Sequence, residues 1–377
     1  MIPFNKPYLT GKELSYIKQA VDSGKISGNG MFTKKCQSFF EEKYSFHKCL
    51  LAQSCTDALE MAAILCNIQP GDEVIIPSFT FVSTANAFAL RGAKIVFIDS
   101  ETNHPNLDAS KIERLITSKT KAIVPVHYAG NACDMPEIMK LAEKYGLFVV
   151  EDAAQAFDSF YIDDSRNKKP LGSFGHLATF SFHETKNIIS GEGGMLVIND
   201  LTMAGRAEII WEKGTNRSAF FRGEVDKYGW VDIGSSFLPS EVTSAFLYAQ
   251  LENAKQIQQK RIYIWNKYHS RLRNWARSNG VKQNETPEYS TNNAHMYFMV
   301  LKSEEIRNKF IEKLKEKGIH SVFHYQSLHK SKFIGQGHEP CENSDRFSEC
   351  LVRLPIYAGL KNAELEHIIS SIISIQI

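Results

Sequence analysis

Between residues 48 and 199 the chain carries seven short apolar runs with helix-like stretches between them. The runs span residues 48–53, 73–77, 94–99, 122–127, 148–152, 178–182 and 195–199. Several are continuous Val/Ile/Leu/Phe segments without polar alternation. Such strands are buried on both faces, as in a parallel sheet covered by helices. Of the stretches between, TDALEMAAILC (56–66) is compact and Ala-rich, and 136–145 opens with Pro136, a residue tolerated at the first helical position. This pattern restricts the first part of the chain to an α/β domain with a mostly parallel seven-stranded sheet.

After about residue 240 the texture changes. Residues 241–273, rich in Ala, Gln, Lys and Glu, read as one long helix or two consecutive ones, and the polar stretch 279–293 as a loop. Residues 295–301, 303–317 and 320–324 read as strand, helix and strand, and 347–377 as a helical pair or helix-rich tail. The expected division is a large domain, 1–245, and a smaller C-terminal α/β domain, 246–377. Residues 1–20 are compatible with packing on either.

Composition excludes several classes. At 43% hydrophobic and 23% charged over 377 residues, the chain has ample material for a core and is not disordered. Its 44 basic and 42 acidic side chains leave no basic excess for nucleic acid. The opening MIPFNKPYLTGKEL lacks the apolar core of a signal peptide, and no run approaches a membrane span; the most apolar stretch, 74–90, is broken by Pro77, Ser78, Thr80, Ser83, Thr84 and Asn86. The seven cysteines are scattered, form no CxxC pair and suit small buried positions in a reducing cytoplasm. No metal site is expected.

In open α/β sheets, ligands bind beyond the carboxyl ends of the strands. After the sixth run comes Ser181-Phe182-His183-Glu184-Thr185-Lys186-Asn187, then Gly191-Glu192-Gly193-Gly194. A lysine there can form a Schiff base with an aldehyde cofactor, although most lysines are simply solvated. Asp152 ends a very apolar strand, where a carboxylate needs a cationic partner or serves as a helix cap. A protonated pyridine nitrogen is such a partner, and pyridoxal 5'-phosphate (PLP) requires one to act as an electron sink. Ser54-Cys55-Thr56 precedes a helix, whose first N–H groups suit a phosphate, or plain N-capping. Phe81, in PSFTFVS, can stack on a flat ring or fill the core. Phe323-His324-Tyr325 and His329 can face the cleft or be structural.

The phosphate loop, aromatic, Asp-x-x-Gln and lysine occur in the order of the fold-type I PLP enzymes. With SCTDAL, PSFTFVSTANA, PVHYAG, VEDAAQ and SFHETKN…GEGG, the chain resembles the DegT/DnrJ/EryC1/StrS sugar aminotransferases over essentially its whole length. The resemblance implies the aspartate aminotransferase-like fold, PLP as cofactor and a homodimer with active sites at the subunit interface. It implies that Lys186 carries PLP and that Asp152 pairs with its ring nitrogen. Gln155 would lie against the ring face or its hydroxyl. Ser54, Cys55, Thr56 and Ser181 would hold the phosphate, and Phe81 would stack on the ring. The histidine that replaces the lysine in dehydratase relatives is absent: Lys186 is present, and His183 stands three residues earlier.

IPFN, FVSTANAFALRGAKIVF, EKGTNRSAFFRGEVDKYGW and DIGSSFLPSE are similar to the branch that aminates dTDP-linked keto sugars for bacterial surface polysaccharides. That implies L-glutamate as donor, 2-oxoglutarate as by-product and dTDP-4-amino-4,6-dideoxygalactose as product. The gluco epimer, carbon-3 amination and a non-catalytic sugar sensor are the alternatives. Arg217, Arg222, Lys227 and Tyr228, in a segment dense in arginine and aromatics, are candidates for holding the nucleotide, with His324 beside the sugar. One departure is Ser236-Phe237-Leu238, where many members carry Asn-Tyr-Arg, the asparagine reaching the neighbouring subunit's PLP phosphate.

Overall fold

The computed structural model describes residues 1–335 and 337–376. All seven runs form strands of one sheet: β1 (Lys48–Ala52), β2 (Glu73–Pro77), β3 (Lys94–Ile98), β4 (Thr120–Ile123) and β5 (Phe148–Asp152), then, beyond a hairpin of β6 (Phe160–Ile162) and β7 (Lys168–Pro170), β8 (Leu177–Ser181) and β9 (Gly194–Ile198). The order is β1-β9-β8-β5-β4-β2-β3. Both pairings of β9 are antiparallel and the others parallel, so β9 runs against the other six strands. Every residue of β2, β8 and β9 is buried, as expected of strands covered on both faces.

The helix Cys55–Leu65 lies against β8 and β9 through Ala58, Leu59, Met61, Ala62 and Ala63, whose small side chains allow a close approach. Ser54 sits in extended conformation and its Oγ accepts the Asp57 N–H at 3.0 Å, fixing where this helix starts. Leu59 is 1% exposed; truncation to alanine would cost about 2–5 kcal/mol. The helix Met135–Tyr145 is capped by Asp134, carries Pro136 in its first turn and stops at left-handed Gly146.

The smaller domain holds an antiparallel sheet of β10 (Lys282–Gln283), β11 (Tyr297–Val300), β12 (Val322–Phe323) and β13 (Leu351–Leu354), ordered β10-β11-β13-β12. Two expectations change here. The 279–293 stretch contains β10, and the supposed helical tail contains β13 between the helices Glu342–Cys350 and Asn362–Ile373. A four-residue apolar run has no readable period, and β11 and β12 pairing on either side makes it a strand. Residues 241–273 lie in two helices, Glu241–Glu252 and Ala254–Asn279, parted at Asn253.

The apolar cores divide inside the second of these helices. Ile257 packs with Phe180, Met195 and Val197 of the large sheet, whereas Ile264, Tyr268 and Leu272 pack with Met299, Val352 and Leu354 of the small one. The chain start touches both. Ile2 pairs with Ile319, while the helix Glu13–Asp22 packs on Glu241–Glu252 with the Tyr16 and Tyr248 rings 5.7 Å apart. At the far edge, Asp99, just beyond β3, accepts the Ser344 N–H at 2.9 Å and its hydroxyl at 3.0 Å, so a large-domain carboxylate caps a small-domain helix.

Candidate active site

A cavity of about 540 Å³ opens at the carboxyl ends of β5 and β8, between the two sheets. Nine of the thirteen residues given site roles from sequence line it: Ser54, Cys55, Thr56, Phe81, Asp152, Gln155, Ser181, Lys186 and His324.

At one end stands the first turn of Cys55–Leu65. Its N–H groups have no intrahelical acceptors and carry the positive end of the helix dipole. Thr56 Oγ1 lies 2.8 Å from Ser83 Oγ. Gly194, the first residue of reversed strand β9, passes so close that a Cβ on it would lie 2.2 Å from the Ser54 carbonyl and 2.4 Å from Cys55 N. The backbone there forms a cradle that only glycine permits.

Asp152 ends β5 with its side chain toward the cavity and 5% exposed. Its Oδ2 accepts the Thr84 hydroxyl at 2.8 Å and its Oδ1 the Ala154 N–H at 3.1 Å; Thr84 is backed by Thr80 at 2.9 Å. Among the described residues it makes no salt bridge. Burial pushes its carboxyl above the usual range, against the pull of Thr84, Ala154 and Lys186. A carboxylate held by two donors and lacking a cation fits a cationic ring nitrogen.

Lys186 sits in the turn after β8. Phe182 N donates to Gly193 O at 2.8 Å, Glu184 N to Gly191 O at 2.9 Å, and Lys186 N to His183 O at 2.9 Å. This fold-back aims the lysine into the cavity. Burial lowers its amine below the ordinary lysine value, while Cys55 and Asp152 act in the opposite direction. Gln155 accepts the Ala129 N–H at 2.7 Å and donates to the Tyr325 hydroxyl at 3.2 Å. Phe81 is half exposed, its ring 6.0 Å from that of Tyr325.

His295 also lines the cavity, and its tautomer follows from its neighbours. The Asn187 amide donates to Gln258 Oε1 at 2.8 Å and to the Asn293 carbonyl at 2.9 Å, which leaves Asn187 Oδ1 to face His295 Nδ1 at 2.9 Å. His295 Nδ1 therefore carries the proton and Nε2 the lone pair. Burial, with Lys186, Arg261 and Arg353 nearby, holds this ring neutral. His324 meets the Tyr128 hydroxyl at 2.9 Å and stacks on Tyr325.

Four expected residues, Arg217, Arg222, Lys227 and Tyr228, do not join the cavity of their own chain. Arg217 lies over the Phe221 ring, 5.2 Å from its centroid, and Tyr228 is 56% exposed beside Phe220. Arg222 is engaged by Glu208 and Glu224. At the departure site, Ser236 and Phe237 offer their carbonyls to Gln53. His329 is structural, bonded to Ser78 at 2.7 Å. Sequence reasoning missed Phe4, His295 and Arg353, all in the cavity wall. The available signal for the last was a charge interrupting the apolar LVRLP.

Known structures show the same architecture. TlmJ, an aminotransferase from Streptoalloteichus hindustanus, matches with a TM-score of 0.89 at 26% identity, over 99% of this chain and 98% of that one. Spr1654 of Streptococcus pneumoniae in its PMP form matches at 0.90 and 26%, with the same coverage, and its PLP form matches at 0.89. Fold and cavity are those of a PLP-dependent aminotransferase. The GDP-perosamine synthase of Escherichia coli O157:H7 is 33% identical over 383 residues, 98% of this chain and 97% of that one. That of Caulobacter vibrioides is 32% identical over 376 residues, 97% and 96% of the two chains. The DegT/DnrJ/EryC1/StrS aminotransferase family model matches residues 7–373, and the chain belongs to that family of sugar aminotransferases.

Proposed function

We propose that this sugar aminotransferase moves the amino group of L-glutamate to carbon 4 of a dTDP-4-keto-6-deoxyhexose, giving dTDP-4-amino-4,6-dideoxygalactose. The observation that carries the chemistry is Lys186 and Asp152 facing one cavity beside the Gly194 cradle. The acceptor rests on the resemblance carried by EKGTNRSAFFRGEVDKYGW and DIGSSFLPSE. A GDP-linked acceptor is the second reading, favoured by the names of the two synthases.

The residues present fit PLP in two independent ways: the start of the helix Cys55–Leu65, whose first-turn N–H groups border the cavity, and a buried carboxylate without a cation. When bound, PLP supplies an aldehyde that takes up amino groups and a ring that spreads the charge left when a C–H bond breaks. Ser54, Thr56, Ser181 and the first-turn amides would hold its phosphate. Phe81 and Gln155 would flank the ring. Thr84 and Ala154 orient Asp152 so that its carboxylate is the counter-charge for the protonated ring nitrogen. Burial favours the neutral amine of Lys186, so that Nζ would take the proton from the donor carbon that bears the nitrogen and return it to the carbon on the other side of that nitrogen. In this reading the protein is a homodimer, and Arg217 and Tyr228 serve the partner's cavity, which accounts for their position on the surface.

The test is a product assay. PLP-loaded protein is incubated with L-glutamate and either dTDP-4-keto-6-deoxyglucose or a GDP-linked 4-keto-6-deoxyhexose, and the amine is located by NMR. An axial amine on carbon 4 of the dTDP sugar supports the proposal. An equatorial one assigns the gluco product, an amine on carbon 3 moves the position, and turnover of the GDP sugar alone favours the second reading. If glutamate bleaches the cofactor band and no amino sugar forms, the chemistry stands and both acceptors fall.

A further inference from the structure

The amide that orients His295 is itself locked. Asn187 follows Lys186 directly, and turning its amide over would set its oxygen against two acceptors, Gln258 Oε1 and the Asn293 carbonyl. Both of these are fixed in turn. The Asn293 amide donates to the carbonyls of Gln155 and Phe157 at 2.7 and 2.9 Å, and its Oδ1 accepts the His295 N–H at 2.9 Å. Gln258 donates to the Asn293 carbonyl at 3.3 Å. Asn187, Gln258, Asn293 and His295 are all buried. The tautomer of His295 is thus anchored, through a series of amides, on backbone carbonyls that cannot change their role.

The other ring nitrogen is left over. Nε2 makes no hydrogen bond among the described residues and is not sealed from solvent, so its lone pair opens into the cavity that the ring lines. Burial, together with Lys186, Arg261 and Arg353, opposes a second proton on the ring. The groups beside it in the small-domain wall donate. The Arg353 guanidinium has no acceptor atom, and the Tyr325 hydroxyl, which already accepts from the Gln155 amide at 3.2 Å, keeps its own hydrogen to give. Against these, Nε2 of His295 is a neutral acceptor held at a fixed place. A ligand group that satisfies it must be uncharged and must carry a hydrogen.

The geometry points to His295 Nε2 as the acceptor for the hydroxyl on carbon 3 of the keto sugar, with Asn187 as the positioning residue that keeps the lone pair there. This rests on the carbon-4 transaminase reading above. The amino donor presents carboxylates, which are acceptors and would meet a lone pair. The keto sugar presents hydroxyls. Its reacting carbon 4 lies between carbon 3, which carries a hydroxyl, and carbon 5, which carries a methyl group. A wall group sharing the cavity with Lys186, which works at carbon 4, meets one of these two neighbours, and an acceptor matches the hydroxyl. A sugar without it would leave the lone pair unmatched in a buried wall, which is how a site built for a hydroxyl rejects an analogue that lacks one. Because Asn187 adjoins Lys186, one side chain both sets this preference and pins the turn that carries the lysine.

The test is a binding cycle without chemistry. The PMP form of the holoenzyme is titrated by calorimetry with dTDP-6-deoxyglucose, which has no ketone to aminate, and with its 3-deoxy and 3-deoxy-3-fluoro counterparts. Wild type is expected to bind the 3-deoxy sugar about tenfold more weakly than the parent. The fluoro sugar, which can accept but not donate, should bind as weakly as the 3-deoxy one. His295→Phe, which has no acceptor, is expected to lose less than about threefold for the same deletion. A histidine with a merely structural role would weaken all three sugars alike and leave the tenfold ratio in place, which would overturn the assignment. The wild-type comparison needs no variant, so it decides even if His295→Phe fails to fold: equal binding of parent and 3-deoxy sugar, or a fluoro sugar that binds like the parent, would overturn it. Nitrogen-15 NMR of histidine-labelled protein reads the tautomer directly. A proton on Nδ1 and a bare Nε2 are expected, with Asn187→Leu moving the signal toward the other tautomer; a protonated Nε2 in wild type, or no response to Asn187→Leu, would count against it. If wild type binds none of the dTDP sugars, the dTDP reading above fails and the same three sugars linked to GDP decide the assignment; if it binds all three equally, only this assignment fails.

Discussion

Gly194→Ala tests the phosphate cradle most directly. The new Cβ would lie 2.2 Å from the carbonyl carbon and oxygen of Ser54 and 2.4 Å from Cys55 N. An ordinary contact needs about 3.4 Å, so roughly 1 Å of movement is required, and both neighbours are backbone. Gly194 is paired to Ala52 on one side and Ser181 on the other, so the helix start must give way instead. Forced overpacking of this kind costs about 3 kcal/mol at the upper end of the usual range. With about 2.1 cal/mol/K per residue over 377 residues, the unfolding entropy is about 0.8 kcal/mol/K, so Tm should fall by about 4 °C. One misaligned bond to the phosphate, at about 2 kcal/mol, weakens PLP about 30-fold. Apo-protein is titrated with PLP by absorbance, and melting is followed by calorimetry. Gly193→Ala is the control. Its Cβ would meet the Ser190 hydroxyl at 2.2 Å, a side chain that can rotate away. A Gly194→Ala protein with wild-type melting and PLP affinity within about threefold would refute the cradle, and equal damage from both variants would refute the distinction between backbone and side-chain obstruction.

Lys186→Ala should retain PLP, measured by release in alkali, while losing the absorbance of the lysine-bound cofactor and on the order of 10⁴-fold in turnover; near-normal turnover would remove Lys186 from its role. Asp152→Asn should fold, keep PLP and lose on the order of 100-fold in the glutamate half-reaction, and a small effect would reduce Asp152 to a helix cap. Asp99→Asn tests the tie between the domains. Burial raises the Asp99 carboxyl, but the Ser344 and Asn343 donors outweigh it and hold the group below its ordinary value. A depressed folded pKa gives stability that is present above the unfolded value near 4 and is lost as pH falls through the folded one. Wild type should therefore melt above the variant at pH 7, with the gap closing below about pH 4; a pH-independent gap would assign the difference to packing.

The large sheet was legible because its strands are sheathed on both faces, so each is a run with no polar interruption. Where strands ended was less so. The run at 122–127 gives only Thr120–Ile123 to the regular ladder, and Val126 adds a lone bridge to Asp152. Most of the residues proposed to hold the cofactor stand out in the sequence because they follow strands directly: Ser54 after β1, Asp152 at the end of β5, Lys186 in the turn after β8. The small-domain wall of the cavity does not. Arg353 acquires meaning only when β13 pairs between β11 and β12, and His295 has a defined tautomer only because Asn187, far back in the chain, is held by Gln258 and Asn293. These relations are long-range, and no local pattern encodes them.

The cavity wall runs from Phe4 to Arg353, nearly the length of the chain, with Ser54, Asp152 and Lys186 between. No early folding intermediate can possess it, because its last member arrives with a strand close to the carboxyl end and must be laid against residues that precede the first helix. Contacts of such separation form late and slowly. Recovery of the cofactor's lysine-bound absorbance during refolding should therefore lag behind recovery of secondary structure, which makes PLP a timer for the closing step of assembly as well as a reagent in the finished enzyme.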